Sequence, residues 1–302
     1  MISPLDPHSQ KFLNDLNRIA DQISVAQEQI GSGKRINRAS DDPDQISGLL
    51  ALRSELSATV QTHANFNRVQ GETDTAEQAL QQSAKLLDHI ASLGAEGATD
   101  FIDPAQRQII GSEVGGLLQQ LVGLAGTATD GRYLFGGDSD QQAPYVYDST
   151  GTPTYGTYLG AAATRQVQHP AGSRIAISLT AQQIFEDPDP SRNVFAAVDS
   201  LRQELITGNK QTISTALAHV RTASVHLNVQ LAFYGTVQTQ VASALDYASA
   251  HETRLRTSIA SSEEADLAAS FVNLNQAQIH QQATLEAGAR TQNRPSLFDY
   301  LS

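Results

Sequence analysis

Two short stretches contain residue types that could support chemistry. The run EQIGSGKR places Gly33 beside Lys34, the pair that closes a phosphate-binding loop. Such a loop also needs Gly where Glu28 stands, Ser or Thr where Arg35 stands, and a strand before it. Here a heptad pattern of helical type comes before it. The sequence therefore argues against nucleotide binding.

The acidic and histidine residues likewise lack the spacing of a metal site. Asp41, Asp42 and Asp44 have neither the glycine nor the distal glutamate of an EF-hand loop, so helix capping explains them better. His219 and His226 lie two turns apart on one helical face, too far for one ion. The chain has no HExxH, no GxSxG and no cysteine. We predict no catalytic residue, no cofactor and no metal, and hence a protein that is not an enzyme.

Composition narrows the class of protein further. The chain has 302 residues, a formal charge of -12, 6% aromatic residues and no Trp. The acidic charge argues against nucleic-acid binding. No stretch approaches the ~18 apolar residues of a membrane span, and no cleaved signal is visible at the start. Long helices that meet through small residues fit this composition better than a thick globular core.

Heptad spacing defines the elements that would position these residues. A first helix is predicted from apolar residues at alternating steps of four and three, after which Gly31 and Gly33 end it: Phe12, Leu16, Ile19, Ile23, Ala26 and Ile30. Asp42, Pro43 and Gln45 predict the capped start of a second helix that runs to about Leu93. Asp103, Pro104 and Gln106 repeat that start for a third helix, which ends near Gly126.

The middle of the chain changes character. Residues 126–190 hold five of the eight tyrosines and five of the ten prolines. Ile175, Ile177 and Leu179 alternate, which predicts short strands. The tyrosines between 133 and 158 could form a carbohydrate platform, but packing inside a small β domain is the better interpretation. None of the heptad patterns of apolar residues, which we call seams, crosses this region. We therefore expect residues 140–186 to be removable without loss of helicity.

The return path is helical again. Fourteen positions at steps of four and three run from Ile213 to Ile259, and eleven are apolar. At ~1.5 Å per residue this helix is roughly 70 Å long. Ser261 and Glu264 predict a capping box for a last helix. Its predicted pairing residues are Leu267, Phe271, Leu274 and Leu285, and Pro295 comes before an apolar tail.

The predicted fold class is mainly α, a long antiparallel helical rod or coiled coil formed by the N- and C-terminal regions with a small β-rich central insertion. We predict five segments: a terminal seam helix (1–41), rod helices (42–128), a β-rich outer domain (129–189), rod helices (190–260) and a second terminal seam helix (261–302). Isolated helices of this length are marginal in water, so residues 8–30 and 265–290 are expected to be frayed in a dilute monomer and to become ordered only when neighbouring copies cover them.

Three motifs carry a family resemblance. The run SGKRINRASDDP resembles the N-terminal signature of the bacterial flagellin family through Gly33, Lys34, Arg35, Asn37, Ser40, Asp41, Asp42 and Pro43. The run TDGRYLFGG is similar to the hook-filament junction members, the hook-associated protein 3 group, through Gly131, Arg132, Tyr133, Phe135 and Gly137. The closing residues Leu297, Phe298 and Leu301 match the end of that group. Ile2, Pro4 and Pro7 depart from the family's usual start.

The resemblance implies a structural subunit that assembles with itself into a ring or tube through its terminal helices. It also implies hook-associated protein 1 and flagellin as partners, an export chaperone, the flagellar type III export apparatus, and an extracellular location in the flagellum. Flagellin itself is the alternative within the family. A coiled-coil scaffold or signalling protein is the alternative of a different class.

Overall fold

A computed structural model of the protein describes residues 7–151, 153–170 and 172–292. The elements follow in the order α1 Pro7–Ser32, α2 Pro43–Gly97, α3 Pro104–Ala125, β1 Ala128–Thr129, β2 Arg132–Tyr133, β3 Gln166–Gln168, β4 Arg174–Ala176, α4 Ala181–Phe185, α5 Val194–Thr207, α6 Lys210–Glu263 and α7 Leu267–Gln292. The mainly α class, with long helices in both terminal regions, is confirmed. Within the described ranges, no helix is both long and apolar enough to span a membrane.

The chain divides into two compact units. One contains residues 1–59 and 251–302, and the other contains residues 60–250. The division falls inside α2 and inside α6, so each of these helices contributes to both units. In the first unit α1 packs against α7, and in the second α3 packs against α5.

The seam predicted for α6 is correct over its whole length. All fourteen positions from Ile213 to Ile259 are buried or half-buried. In the second unit this seam meets apolar residues of α2, α3 and α5, including Leu87, Leu118 and Leu201, which are fully buried. A periodicity of 3.5 residues therefore locates the packed face of this helix without any other information.

The central insertion is part of the core of the second unit, contrary to expectation. Its strands are short: β1 pairs with β2, and β3 pairs with β4, both antiparallel. Ile175 and Ile177 pack with Phe66 and Val241 of the long helices. Phe135, Tyr145 and Phe185 enter the main cluster of the same unit. The expectation that residues 140–186 are removable is therefore wrong, because their side chains fill space that the helices do not.

The helix starts were predicted with mixed success. At α3 the Asp103 carboxylate accepts from the Gln106 backbone N–H at 2.7 Å, while the Gln106 side chain accepts from the Asp103 N–H, so the capping box is confirmed. The box predicted at Ser261 and Glu264 is wrong. Ser261 lies inside α6 and donates to the Ser258 carbonyl. The α7 start is capped instead by Asp266, which accepts from the Ala269 N–H at 3.0 Å.

Candidate assembly site

The N-terminal signature forms a tight turn between α1 and α2. Gly33 follows α1 with φ of +69°, a left-handed conformation that favours glycine. Asp41 then closes the turn, because its Oδ2 accepts from the backbone N–H groups of Asn37 and Arg38 at 2.9 and 2.7 Å. These hydrogen bonds, of which the one from Arg38 contributes most, lower the pKa of Asp41. The turn is therefore held by its own side chains.

Arg35 organises the start of α2. One guanidinium nitrogen donates to Asp42 Oδ2 and another to Gln45 Oε1, both at 2.9 Å. Asp42 Oδ1 accepts from the Gln45 N–H at 3.2 Å, so half of the predicted box is present. The Gln45 side chain bonds Arg35 rather than the Asp42 amide, which corrects the other half. The hydrogen bond from Arg35 lowers the pKa of Asp42.

The same turn binds the end of α6. The backbone N–H of Arg35 donates to the Glu263 carbonyl at 2.6 Å, and the Ala265 N–H donates to the Gly33 carbonyl at 3.0 Å. Arg35 also donates from its guanidinium to the Ser262 carbonyl at 3.1 Å. Residues 33–35 and 263–265 thus pair as a short antiparallel ladder.

Glu263 is a buried carboxylate held between two cations. Its oxygens lie 3.1 Å from Lys34 Nζ and 2.8 Å from Arg53 Nε. Burial raises the pKa of Glu263, but the hydrogen bonds from Lys34 and Arg53 outweigh burial, so the pKa is lowered overall. We call Lys34, Arg53 and Glu263 the Glu263 cluster. Because Lys34 is paired in it, this lysine is not offered to a phosphate.

Little in the sequence indicates the Glu263 cluster. Lys34 belongs to the signature, but Arg53 and Glu263 belong to no motif and are 210 residues apart. The only signal was the change of seam phase between α6 and α7, which indicates a break in the helix without saying what binds there.

α1 and α7 pack through one buried seam each. On α1 Ile19 and Ala26 are buried, and the other seam residues, Phe12, Leu16, Ile23 and Ile30, are half-buried, as predicted. On α7 the buried residues are small: Ser270 and Ala277. Ser270 donates to Gln29 of α1 at 3.2 Å. A Cβ at Gly288 would come within 2.5 Å of the Phe12 ring, so glycine allows the two helices to approach there.

Most of the apolar residues predicted for pairing on α7 face solvent in the single chain. Leu274 is half-buried, whereas Leu267, Phe271 and Leu285 are about half exposed, at 44%, 50% and 50%. Val272 and Ile279 are also exposed, at 54% and 64%. Leu297, Phe298 and Leu301 lie outside the described residues. The fully buried residues of α7 are therefore small, and its larger apolar residues other than Leu274 remain exposed.

The second signature belongs to the other unit. Asp130 and Gly131 have φ of 52° and 76° and form the turn between β1 and β2. Arg132 then pairs with Asp140 at 2.5 Å, and Phe135 is fully buried against Tyr234. At Gly137 φ is +64°, and a Cβ would come within 2.2 Å of the Ala161 carbonyl. This signature anchors the insertion to the helical core.

No constellation for catalysis or metal binding emerges in the part of the chain that the structure describes. The residues there include no cluster of three His, Asp or Glu side chains that could hold an ion. Tyr145 and Tyr234, the tyrosines whose pKa values burial raises most, have aromatic neighbours in the core. The organised features are a polar clamp at the Glu263 cluster and uncovered apolar helix faces.

Comparison with known proteins places these features in a family. Residues 8–140 match the bacterial flagellin N-terminal helical region, and residues 217–301 match the bacterial flagellin C-terminal helical region. Flagellar hook-associated protein 3 of Escherichia coli is 26% identical over 208 residues, which are 63% of this chain and 64% of that protein. Flagellin A of Helicobacter pylori is 29% identical over 137 residues, 45% of this chain and 26% of that protein.

A solved structure agrees in fold. The structure of a putative flagellar hook-associated protein from Vibrio parahaemolyticus superposes with a TM-score of 0.67 at 18% identity, covering 74% of this chain and all of that one. The chain spans less than two thirds of the curated relatives named above, about a quarter of the flagellin and 64% of the hook-associated protein. With both terminal helical regions matched and this fold observed, the chain belongs to the bacterial flagellin family.

Proposed function

We propose that the protein is a structural subunit of the bacterial flagellum that forms the junction between hook-associated protein 1 and the flagellin filament. One observation carries the choice within the family. The match to hook-associated protein 3 extends over similar shares of both chains, whereas the match to Flagellin A covers only a quarter of that longer protein. The matched region is a larger part of hook-associated protein 3 than of Flagellin A, which supports the junction subunit over the filament subunit.

Self-assembly through the terminal helices supplies the mechanism. In a ring, neighbouring copies cover the apolar residues that α7 exposes, Leu267, Phe271 and Leu285, together with the tail residues Leu297, Phe298 and Leu301. Full burial of an exposed large apolar side chain contributes roughly 1.5 to 3 kcal/mol, and because these three are already half covered, each would gain about half of that. The exposure of these residues beside an already packed seam supports this step.

The other features of the subunit follow from a place in the wall of the flagellum. The terminal segments 1–41 and 261–302 pack against neighbouring copies and form the wall. The subunit is exported by the flagellar type III apparatus with a dedicated chaperone and acts outside the cell. It has no enzymatic activity and no cofactor.

Deletion of the gene distinguishes the candidates. For a junction subunit, the strain keeps basal bodies and hooks, grows no filament and releases unpolymerised flagellin into the medium. Deletion of a flagellin gene in the same genome is the matched control. In that strain filaments are absent and no flagellin is released. Normal filaments in the deletion strain would overturn both assignments, and a protein retained in the cytoplasm would favour the coiled-coil scaffold.

A further inference from the structure

The exposed face of α6 is almost free of charge. Among residues 211–245 only Arg221 is a Lys, Arg, Asp or Glu. Opposite the buried seam, a second set of residues at steps of three and four faces solvent, and Val225 and Val229 are 65% and 62% exposed. We name it the α6 stripe: Thr215, Ala218, Thr222, Val225, Val229, Ala232, Thr236, Thr239 and Ser243. A solvated helix face ordinarily carries charged residues.

Four of the five hydroxyl groups on the α6 stripe already donate to an acceptor within the helix. Four threonines donate to the carbonyl four residues earlier, at 3.0 to 3.2 Å: Thr215, Thr222, Thr236 and Thr239. Because these donors have partners, their burial leaves no unpaired hydroxyl proton. The stripe is therefore suited to contact with another protein surface.

α3 carries a shorter stripe of the same kind. Its exposed residues at steps of four and three are Ala105, Ile109, Ser112, Gly116, Gln119 and Gly123, which we name the α3 stripe. Ile109 is 69% exposed, and Ser112 donates to the Gln108 carbonyl. A Cβ at Gly116 or Gly123 would meet no atom within 4 Å, so the stripe presents shallow hollows. Small residues allow a facing helix to approach closely.

The charges beside the two stripes are opposite. Arg221 adjoins Thr222 of the α6 stripe, and Glu113 adjoins Ser112 of the α3 stripe. Glu113 is the only charged residue between positions 108 and 129, and its side chain is half exposed, 3.9 Å from His89. Two acidic chains repel each other over most of their surfaces, so charge-poor stripes with opposite flanking charges are places where copies can meet.

We propose that the α6 stripe of one copy packs against the α3 stripe of the next copy, with Arg221 opposite Glu113. This inference rests on the proposed function and names a contact within that assembly. The contact is heterologous, because the two faces differ, and heterologous contacts that close generate rings. The α3 stripe is ~27 Å long and a helix face ~10 Å wide, so the contact buries only about 300 Å² per copy, below the ~800 Å² of a stable complex. It therefore forms between copies that the terminal helices already hold together, and not with a free partner.

Cysteine cross-linking tests the contact directly, because the chain contains no cysteine. The variant Thr222→Cys/Ser112→Cys, treated with a short bis-maleimide in isolated flagella, is expected to give a ladder of cross-linked copies, and neither single variant should. Thr222→Cys/Gln78→Cys is the matched control, with an exposed position on α2. If filaments grow but the ladder is missing, or the control gives an equal ladder, the contact is wrong while the junction assignment stands. If the wild-type chain never reaches the flagellum, the junction assignment itself fails.

Charge exchange tests the register. Arg221→Glu and Glu113→Arg each place like charges opposite each other, so each should lower the amount of subunit in flagella several-fold. The combined variant restores an opposite pair across the contact and should return the amount close to wild type. Circular dichroism of each purified chain verifies folding. Two single variants at the wild-type level, or a combined variant as poor as the two losses multiplied, would overturn the pairing.

Discussion

At the scale of single residues, Glu263 determines how the first unit is held together. Its carboxylate is buried, and it binds one cation from the signature turn and one from α2. A buried carboxylate without partners would be unfavourable, so the two hydrogen bonds stabilise this arrangement only as a set. Arg35 adds the backbone contacts that hold the same segment.

Replacing Glu263 should therefore weaken the first unit. Glu263→Gln removes the charge that Lys34 and Arg53 share, and because both cations are half exposed the expected loss at pH 7 is roughly 1 to 2 kcal/mol. Hydrogen exchange of the α1 and α7 amides measures it. Glu264→Gln, one residue away and exposed, is the control, and equal exchange in the two variants would contradict the role of Glu263.

The pH dependence has a definite sign. The folded pKa of Glu263 lies below its ordinary value of 4.5, so its stabilisation is fully present above pH 4.5 and is lost as the pH falls through the lower, folded pKa. The difference in protection between wild type and Glu263→Gln should therefore shrink on acidification below pH 4.5. A difference that grew in acid would show that the carboxyl is not ionised in the native state.

The signature residues were predictable, but their partners were not. Gly33 and Asp42 announce a helix end and a helix start through local chemistry that any sequence window contains. The ion pair between Lys34 and Glu263 joins two segments that are far apart in the sequence. Pairing between distant segments produces no periodic pattern of residues, so the sequence does not indicate it.

At the scale of elements, α7 has two faces with different uses. The face on α1 includes the buried small residues Ser270 and Ala277 and the half-buried Leu274, whereas Leu267, Phe271 and Leu285 are about half exposed. Apolar periodicity alone selected the exposed face, because it ranks Leu and Phe above Ser, Ala and Gly. Close approach of the α1 and α7 backbones decides in favour of the small residues.

Two substitutions separate these faces. Ala277→Leu inserts volume between α1 and α7 and should destabilise their packing by about 1 to 3 kcal/mol, seen as faster hydrogen exchange in both helices. Phe271→Ser should leave that exchange unchanged and lower incorporation into flagella. The opposite pattern would mean that Phe271, not Ala277, lies in the intrachain contact.

The β3–β4 hairpin gives a second prediction at this scale. Ile175 points into the cluster of Phe66 and Val241, while its strand neighbours are exposed. Ile175→Ala should lower the free energy of unfolding of the second unit by roughly 2 to 5 kcal/mol in urea denaturation. Arg174→Ser, on the exposed side of the same strand, is the control. Equal midpoints for Ile175→Ala and wild type would restore the idea of a dispensable insertion.

At the scale of the whole molecule, the two units are packed differently. The largest fully buried side chains, including Tyr234, Phe66 and Phe195, lie in residues 60–250. Among the described residues of the first unit, the buried apolar residues are fewer and smaller, with Ile19, Leu49 and Leu255 the main examples. Periodicity predicted which helix faces are packed, but how densely depends on contacts between distant segments.

Hydrogen exchange on the dilute chain should reveal this contrast. Amides of α1 and α7 are expected to exchange faster than those of α3 and of α6 between 213 and 245, because local opening exposes little apolar surface in the first unit. In assembled flagella, the amides of α1 and α7 and those of α3 and α6 should all be protected. Equal protection in the dilute chain would mean that the first unit is complete without neighbours, and that its assembly is driven by another surface.

The Glu263 cluster also dictates when the first unit can form. Its cations come early in the chain and its carboxylate late, so no length of nascent or partly threaded polypeptide that stops short of residue 263 can close it. Contacts between residues so far apart in the sequence form slowly, because the entropy of closing a long loop is lost before the contacts contribute any stabilisation. The second unit can fold first, and α1 can pack only afterwards. Once residue 263 is present, the cluster can join the signature turn and α2 to the end of α6, and the first unit can close.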